Sequence, residues 1–278
     1  MSSSLSPAGL QYQGTRFLQS SRVRAVAHRL NWRGDVLVAG QRAAFSGKRV
    51  LDLGSHDGRF MHAALATGAS HVVGVEVRDD HVREAHANLE ACGHPRDRYE
   101  LVRGDFVPYL RSLQPHDFDT ILCFGVLSHM IEHVEILGEI QRLRPSTFIL
   151  DTWVALPRWN LRERARNWRV NRFVARTQGE STAAGRCARW LDEMLPWRGR
   201  RVGTMTFLYE DAQAPGATAR TSGLMAWSDR TTIEMLFDHF GFDHQRVDWR
   251  RQGIDDWTEL DDYRRGARES WVARLPAR

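Results

Sequence analysis

Short apolar runs alternate with segments in which apolar residues recur every three or four positions. The runs predict five buried strands, at 50–53, 71–76, 99–105, 118–124 and 147–151. The periodic segments predict helices at 62–67, 79–91, 106–113 and 134–143. Strands that alternate with helices indicate a doubly wound, mostly parallel α/β sheet with right-handed crossovers.

The flanking regions give weaker patterns. Residues 12–30 have helical spacing and predict a leading helix, with a loop and short helix at 31–47. Residues 202–209 and 242–249 predict strands, and the second is expected to close the sheet as an antiparallel hairpin. Between them, Ser228 is expected to cap a helix over 231–240. The tail, 255–278, predicts a final helix.

Composition bounds the class of protein. With 278 residues and 42% hydrophobic content, the chain can bury a sizeable core. A net charge of +5 permits an anionic partner without requiring one. The scattered cysteines Cys92, Cys123 and Cys187 predict neither a disulfide framework nor a zinc cluster, which favours a reducing compartment. We find no signal peptide and no membrane-spanning run, and we therefore expect a cytoplasmic protein.

The glycine loop after the first strand is the strongest local signal. It reads Leu51-Asp52-Leu53-Gly54-Ser55-His56-Asp57-Gly58, which is Asp-x-Gly-x-x-x-Gly and not the dinucleotide pattern Gly-x-Gly-x-x-Gly. Such a strand, tight turn and helix start form a nucleotide-sized cradle at the carboxyl end of a parallel sheet. The alternative is an ordinary strand-to-helix turn without a ligand, which could have the same sequence.

This loop resembles the first motif of the class I S-adenosylmethionine (SAM)-dependent methyltransferases. The resemblance covers about residues 48–151 and implies a mostly parallel seven-stranded sheet with SAM as cofactor. It implies cofactor contacts at Asp52, Gly54, Ser55 and Gly58. A carboxylate beside the loop suits the ammonium and sulfonium charges of SAM.

Three later segments fit the same resemblance. Glu76, followed by Val77, ends the second strand, where an acidic residue can accept hydrogen bonds from both ribose hydroxyls. In these methyltransferases the residues at Asp105 and Phe106 usually meet the adenine. The fourth strand ends in Cys123 and Phe124, which the resemblance places beside the methionine moiety. Plain carboxylates at the ends of strands are the alternative for Glu76 and Asp105.

Two histidines follow the fourth strand. A hydroxyl acceptor needs a base, and His129 is the first candidate because it lies where the acceptor is expected. His133 is the second candidate and would share a helical face with His129. Packing or surface roles are the alternatives for both. Together with Glu132 or Asp151 they match no strong metal signature, so we predict no metal site.

Residues 152–226 depart from the compact pattern. Six arginines between 158 and 176 fall on one helical face with aromatic residues among them, and an apolar group follows at 190–197. Residues 213–222 predict a surface loop. This row of arginines could bind an anionic ligand or RNA, or it could be a solvent-exposed helix face. We interpret the chain as one domain with four parts: a helical cover (1–47), a SAM-binding half (48–151), a helical insert (152–226) and closing elements (227–278).

The expected function is transfer of a methyl group from SAM to a small-molecule acceptor, at a hydroxyl, in secondary or specialised metabolism. A second hypothesis is RNA modification. The run Phe124-Gly125-Val126-Leu127-Ser128-His129 is similar to tRNA wobble-uridine carboxymethyl-transferring enzymes, although Ser128 replaces their Tyr. A third is a non-catalytic protein that keeps the cofactor fold for binding. A homodimer is a further expectation.

Overall fold

The computed structural model describes residues 10–20, 26–155, 203–211 and 223–276. Its strands are β1 (Arg49–Leu53), β2 (His71–Glu76), β3 (Tyr99–Arg103), β4 (Thr120–Phe124), β5 (Thr147–Trp153), β6 (Met205–Tyr209), β7 (Leu224–Ser228), β8 (Asp243–Arg246) and β9 (Arg268–Arg274). Seven of them form one sheet in the order β3-β2-β1-β4-β5-β9-β8. Strands β1 to β5 pair in parallel, and β9 runs antiparallel to both of its neighbours. The predicted seven-stranded, mostly parallel sheet is confirmed.

Helices cover both faces of this sheet. They are α1 (Phe17–Ser20), α2 (Ala27–Leu37), α3 (Arg59–Ala66), α4 (Asp79–Ala91), α5 (Phe106–Ser112), α6 (His133–Leu143), α7 (Arg230–His239) and α8 (Asp261–Arg265). Short 3₁₀ turns lie at Ala39–Ala44, Arg96–Arg98, Leu127–His129 and Trp249–Arg251. Successive strand residues enter opposite cores, so that Val50 joins one cluster and Leu51 the other. Burial on both faces explains why the parallel strands are continuous apolar runs.

The amino-terminal prediction is wrong in its boundaries. Residues 12–16 form turns, and Gly14 has a φ of +77°, which a helix does not use. Helix α2 covers 27–37, whereas the sequence predicted a helix that ends at 30 and then a loop and short helix over 31–47. Tertiary bonds decide the path, because the Tyr12 hydroxyl donates to Arg59 O (2.6 Å) and Asn31 Oδ1 accepts from Tyr12 N (2.8 Å).

The tail is also different from its prediction. A final helix was expected over 255–278, but within 255–276 the helix is limited to Asp261–Arg265, and Arg268–Arg274 is an interior strand of the sheet, between β5 and β8. This strand contains three consecutive polar residues, Arg268, Glu269 and Ser270, and all three are buried. Their partners lie far away in the chain, so local hydrophobic patterning could not show a buried strand.

A two-stranded antiparallel sheet, β6–β7, lies beside the carboxyl ends of β4 and β5. The Ala226 N–H donates to Met130 O (3.1 Å), and the Ala155 N–H donates to Ser228 O (3.1 Å). Strand β7 therefore bridges the segments that follow β4 and β5. The cap of α7 is Asp229 and not the predicted Ser228, because the Asp229 carboxylate accepts from Thr232 N at 2.7 Å.

Some predictions lie outside the described residues: the row of arginines at 158–176, the apolar group at 190–197 and the loop at 213–222.

Candidate active site

The glycine loop between β1 and α3 needs its glycines. Gly54 and Gly58 have φ values of +66° and +81°, which favour glycine. A Cβ at Gly54 would lie 2.8 Å from a methyl carbon of Val126, which belongs to the segment that follows β4. The loop is thus closely packed against the carboxyl end of β4, and both lie at the same edge of the sheet.

Asp52 is a buried carboxylate without a complete set of partners. It is 2% exposed, and its Oδ2 makes no hydrogen bond within the part of the chain that the structure describes. Burial, together with the charges of Glu76 and Asp57, raises the pKa of Asp52 to about 8. The neighbouring Ser55 hydroxyl is buried and also makes no hydrogen bond. These two polar groups therefore suit a cationic, hydrogen-bonding ligand.

Glu76 is held in a fixed orientation at the end of β2. Its Oε2 accepts from His56 N (3.0 Å), and its Oε1 accepts from Arg78 N (2.9 Å). Burial opposes ionisation, but the His81 ring, whose Nδ1 lies 3.6 Å from Oε1, and the hydrogen bond from the Arg78 N–H outweigh it and lower the pKa of Glu76. Glu76 is therefore an oriented carboxylate, and Val77 beside it is exposed.

An ion pair inside the loop, between Asp57 and Arg59, was not predicted from the sequence. The buried Asp57 carboxylate accepts from Arg59 Nε (2.7 Å) and Nη2 (2.6 Å). Burial would raise the pKa of Asp57, but the Arg59 guanidinium holds it well below its usual range. His56, with a φ of +51°, donates its main-chain N–H to Glu76. The only sequence signal was a charged pair two residues apart.

The remaining predicted cofactor residues differ in exposure. Asp105 is exposed at the N-terminus of α5, where its side chain accepts from Val107 N at 3.0 Å. Phe106 and Cys123 lie in the same hydrophobic core, and burial raises the pKa of the Cys123 thiol. The Phe124 ring packs edge-on against Phe60, with centroids 4.8 Å apart. Cys123 and Phe124 nevertheless end β4, next to the glycine loop.

The two histidines do not share a helical face. His129 ends a 3₁₀ turn, and Met130 is extended, so the chain changes direction before α6 begins at His133. His129 Nδ1 lies 3.1 Å from the sulfur of Met225 in β7, and burial lowers the pKa of His129. The structure thus places His129 between the end of β4 and the bridging strand.

His133 is fully buried, and both of its ring nitrogens have hydrogen-bond partners. Its Nε2 lies 2.8 Å from Leu127 O and 3.0 Å from Met130 O, and its Nδ1 lies 2.8 Å from the Ser228 hydroxyl. The carbonyls require a proton on Nε2, so Nδ1 accepts from the hydroxyl. Burial lowers the pKa of His133, in keeping with a neutral ring. His133 fastens β7 to the segment that carries His129.

A buried ionic network at the end of β5 was not predicted. Asp151 accepts from Arg33 (2.5 Å) and from Nε and Nη2 of Arg268 (3.0 and 2.7 Å). The hydroxyls of Tyr263 (3.1 Å) and Ser270 (2.9 Å) donate to the same carboxylate. Burial acts against ionisation, but the two guanidinium groups hold the pKa of Asp151 well below its usual range. The network joins α2, β5, α8 and β9.

The family comparison matches this fold and site. A family model described as a methyltransferase domain matches residues 44–191, which is more than half of the chain. The chain therefore belongs to this methyltransferase family, and its seven-stranded sheet is the fold of the class I SAM-dependent methyltransferases.

Sequence relatives cover the cofactor half. A ubiquinone biosynthesis O-methyltransferase of Thiobacillus denitrificans is 29% identical over 102 residues, which is 37% of this chain and 42% of that protein. A ribosomal protein L11 methyltransferase of Prochlorococcus marinus is 31% identical over 130 residues, which is 45% of this chain and 42% of that protein. The chain thus matches less than half of the length of these relatives.

Solved structures share the fold. The N-terminal domain of EvdMO1, crystallised with SAH bound, is 20% identical, with 86% of this chain and 81% of that chain covered and a TM-score of 0.53. A SAM-dependent methyltransferase from Mesorhizobium loti is 15% identical, with 85% and 98% covered and a TM-score of 0.51.

Among the described residues, no helix is long and apolar enough to cross a membrane. Nor do these residues contain a group of three or more His, Cys, Asp or Glu side chains placed to hold a metal ion.

The residues at the loop fit SAM. Asp52 Oδ2 and Ser55 Oγ are buried polar atoms without hydrogen-bond partners among the described residues, and both belong to the loop or its preceding strand. An ammonium group is a suitable partner for a buried carboxylate, since charge pairing offsets its desolvation.

Proposed function

We propose that this protein methylates a hydroxyl group of a small molecule, with His129 as the general base. The observation that carries the proposal is the position of His129. It lies after β4, at the same sheet edge as the glycine loop, and its ring contacts the bridging strand β7. O-methyltransferases occur among the sequence relatives, which supports oxygen as the accepting atom.

The proposed cofactor seat uses the predicted residues in different ways. Asp52 would bind the ammonium group, and Glu76 would accept from the ribose hydroxyls with the lone pairs that its two main-chain donors leave. Gly54 and Gly58 allow close approach of the main chain, and Ser55 supplies a hydroxyl. The further contacts assigned to this seat are Val77, Asp105, Phe106, Cys123 and Phe124.

Phe106 and Cys123 would act through their main chain, because both side chains are in the core. When bound, SAM supplies an electrophilic methyl carbon on a good leaving group. The protein must then align the acceptor and remove its proton. A Nδ1 proton directed at the Met225 sulfur leaves the basic lone pair of His129 on Nε2. Burial keeps this ring neutral near pH 7, so that it can accept the proton.

His133 is assigned a positioning role in this proposal. Both of its ring nitrogens already bond to the protein, so proton transfer through them would break a buried contact. It holds Ser228 of β7 and the carbonyls on both sides of His129, and thereby fixes the place of the proposed base.

The test measures SAH release from SAM. The purified protein is given, in separate reactions, a set of hydroxylated small molecules, a matched set of their O-methyl ethers, and total tRNA. We expect SAH release and a mass gain of one methylene group only with free hydroxyl compounds. Release with tRNA alone would overturn the proposal in favour of RNA modification. SAM binding without release on any acceptor would favour the non-catalytic alternative, and absence of binding would refute both.

A further inference from the structure

The network around Asp151 contains more positive than negative charge. Arg33 and Arg268 share this one carboxylate, and all three side chains are nearly inaccessible to solvent. The nearby Asp262 is paired with a third arginine, Arg29, at 2.6 Å. Asp151 alone cannot neutralise both guanidinium groups, and a further carboxylate on which the charge of Arg33 acts, Asp52, lies on the cofactor side.

The two arginines lie beside different parts of the site. The Arg33 guanidinium lies 4.6 Å from the centroid of Phe60 in α3, and its charge favours ionisation of Asp52. Arg268 lies instead 5.7 Å from the ring centroid of Trp153, at the end of β5. Its Nη2 is 2.8 Å from where a Cβ of Gly125 would stand. Arg33 thus belongs to the cofactor side, and Arg268 borders the ends of β4 and β5.

Arg268 also has donor capacity to spare. Nε and Nη2 bind Asp151, whereas Nη1 donates no hydrogen bond to any residue in the described part of the chain. Because Gly125 has no side chain, nothing at that position separates the guanidinium from the end of β4.

An aromatic pair adjoins this guanidinium. Trp153 and Trp227 of β7 are stacked, with centroids 5.9 Å apart and planes inclined by 14°. Both are partly exposed, but Trp227 Nε1 is buried and has no hydrogen-bond partner among the described residues. A cation and an unpaired N–H beside two flat rings suit a ligand that combines a ring with an oxyanion.

We infer that the acceptor carries an oxyanion, a carboxylate or a phosphate, on a planar ring. The ring packs on Trp153 and Trp227, and the anion binds Arg268 Nη1 with help from Trp227 Nε1. The inference rests on the proposed function, since it describes the acceptor of that same reaction.

Three fragments with the same ring test it: benzoate, phenyl phosphate and benzyl alcohol. Their dissociation constants are measured by saturation-transfer NMR titration on the SAH-loaded protein. We expect at least one anion to bind fivefold or more tightly than benzyl alcohol, and the tighter anion identifies the group. Because no turnover is needed, failure of the proposed methylation is seen separately, as absence of SAH release.

Variants locate the binding. Arg268→Gln should abolish the anion preference and leave SAH affinity within twofold, while Arg268→Lys should keep part of it. Arg83→Gln, on the exposed face of α4, is the matched control and should behave as wild type. If Arg268→Gln does not fold, Trp227→Phe replaces it as the test. This variant should reduce the preference for the anionic fragments over benzyl alcohol. Equal binding of the three fragments, or a preference that survives these variants, would overturn the inference.

Discussion

The two ends of the site differ in how their polar groups are satisfied. At the cofactor loop, Asp52 and Ser55 are buried with unpaired oxygens, and the site residues lie within one strand, one loop and the next strand. At the end of β5, the Asp151 carboxylate receives bonds from four side chains on distant segments. The unpaired oxygens of the first region suit the proposed cofactor, whereas the bonds to Asp151 tie distant segments of the fold together. Two buried aspartates should therefore respond oppositely to the same substitution.

The largest expected effect is on stability. Asp151→Asn leaves two buried guanidinium groups without an anion, and it should lower the free energy of unfolding by about 3–5 kcal/mol. Asp52→Asn should leave that free energy unchanged or raise it, because burial already penalises the charge there. Urea denaturation at pH 7 measures both. Similar losses in the two variants would remove the contrast.

The stabilising contribution of Asp151 should be lost in acid, which urea denaturation at decreasing pH measures. The pKa of Asp151 is lower in the folded state than its ordinary 3.8, so its contribution is complete above that value and is lost as pH falls toward the folded pKa.

His129→Ala should reduce kcat about a hundredfold with SAM affinity unchanged, because it removes the base and no proposed cofactor contact. In the wild type, kcat should fall as the pH drops through the lowered pKa of His129, since the protonated ring cannot act as a base. His239→Ala, in an exposed position of α7, is the control. Normal turnover in His129→Ala would mean that the base lies elsewhere or that none is needed.

Asp52→Ala and Glu76→Ala should each weaken SAM binding at least tenfold, since each removes a charged hydrogen bond worth about 1.5–3 kcal/mol. Isothermal calorimetry measures this, with Asp97→Ala on the exposed 3₁₀ turn as the control. Unchanged affinity in both variants would refute the assignment of the loop.

The smallest expected effect is on the pH dependence of binding. A cationic ligand favours ionised Asp52, so SAH affinity should rise with pH, by at most tenfold per unit, and level off above about 8. Titrations in buffers of different ionisation enthalpy should show proton release below that pH. The Asp52→Asn profile should be flat, and a sloping one would assign the titration to another group.

The sequence determined the parts of this protein that depend on neighbouring residues. Strand β2 and helix α4 were predicted with their observed bounds, because apolar runs and periodicity are local signals. The glycine loop was recognisable because its positive φ angles and close packing demand glycine at fixed spacing.

Other features depend on contacts between segments that are distant in the sequence. Strand β9 was not predicted because it begins with three polar residues, Arg268, Glu269 and Ser270. They are buried only because they bond to partners elsewhere in the chain, such as Asp151. The fixed place of His129 depends on His133 and Ser228, which are 95 residues apart in the sequence. Hydrogen bonds and charge pairs between distant segments leave no periodic trace, and they shape the side of the site where the acceptor is expected.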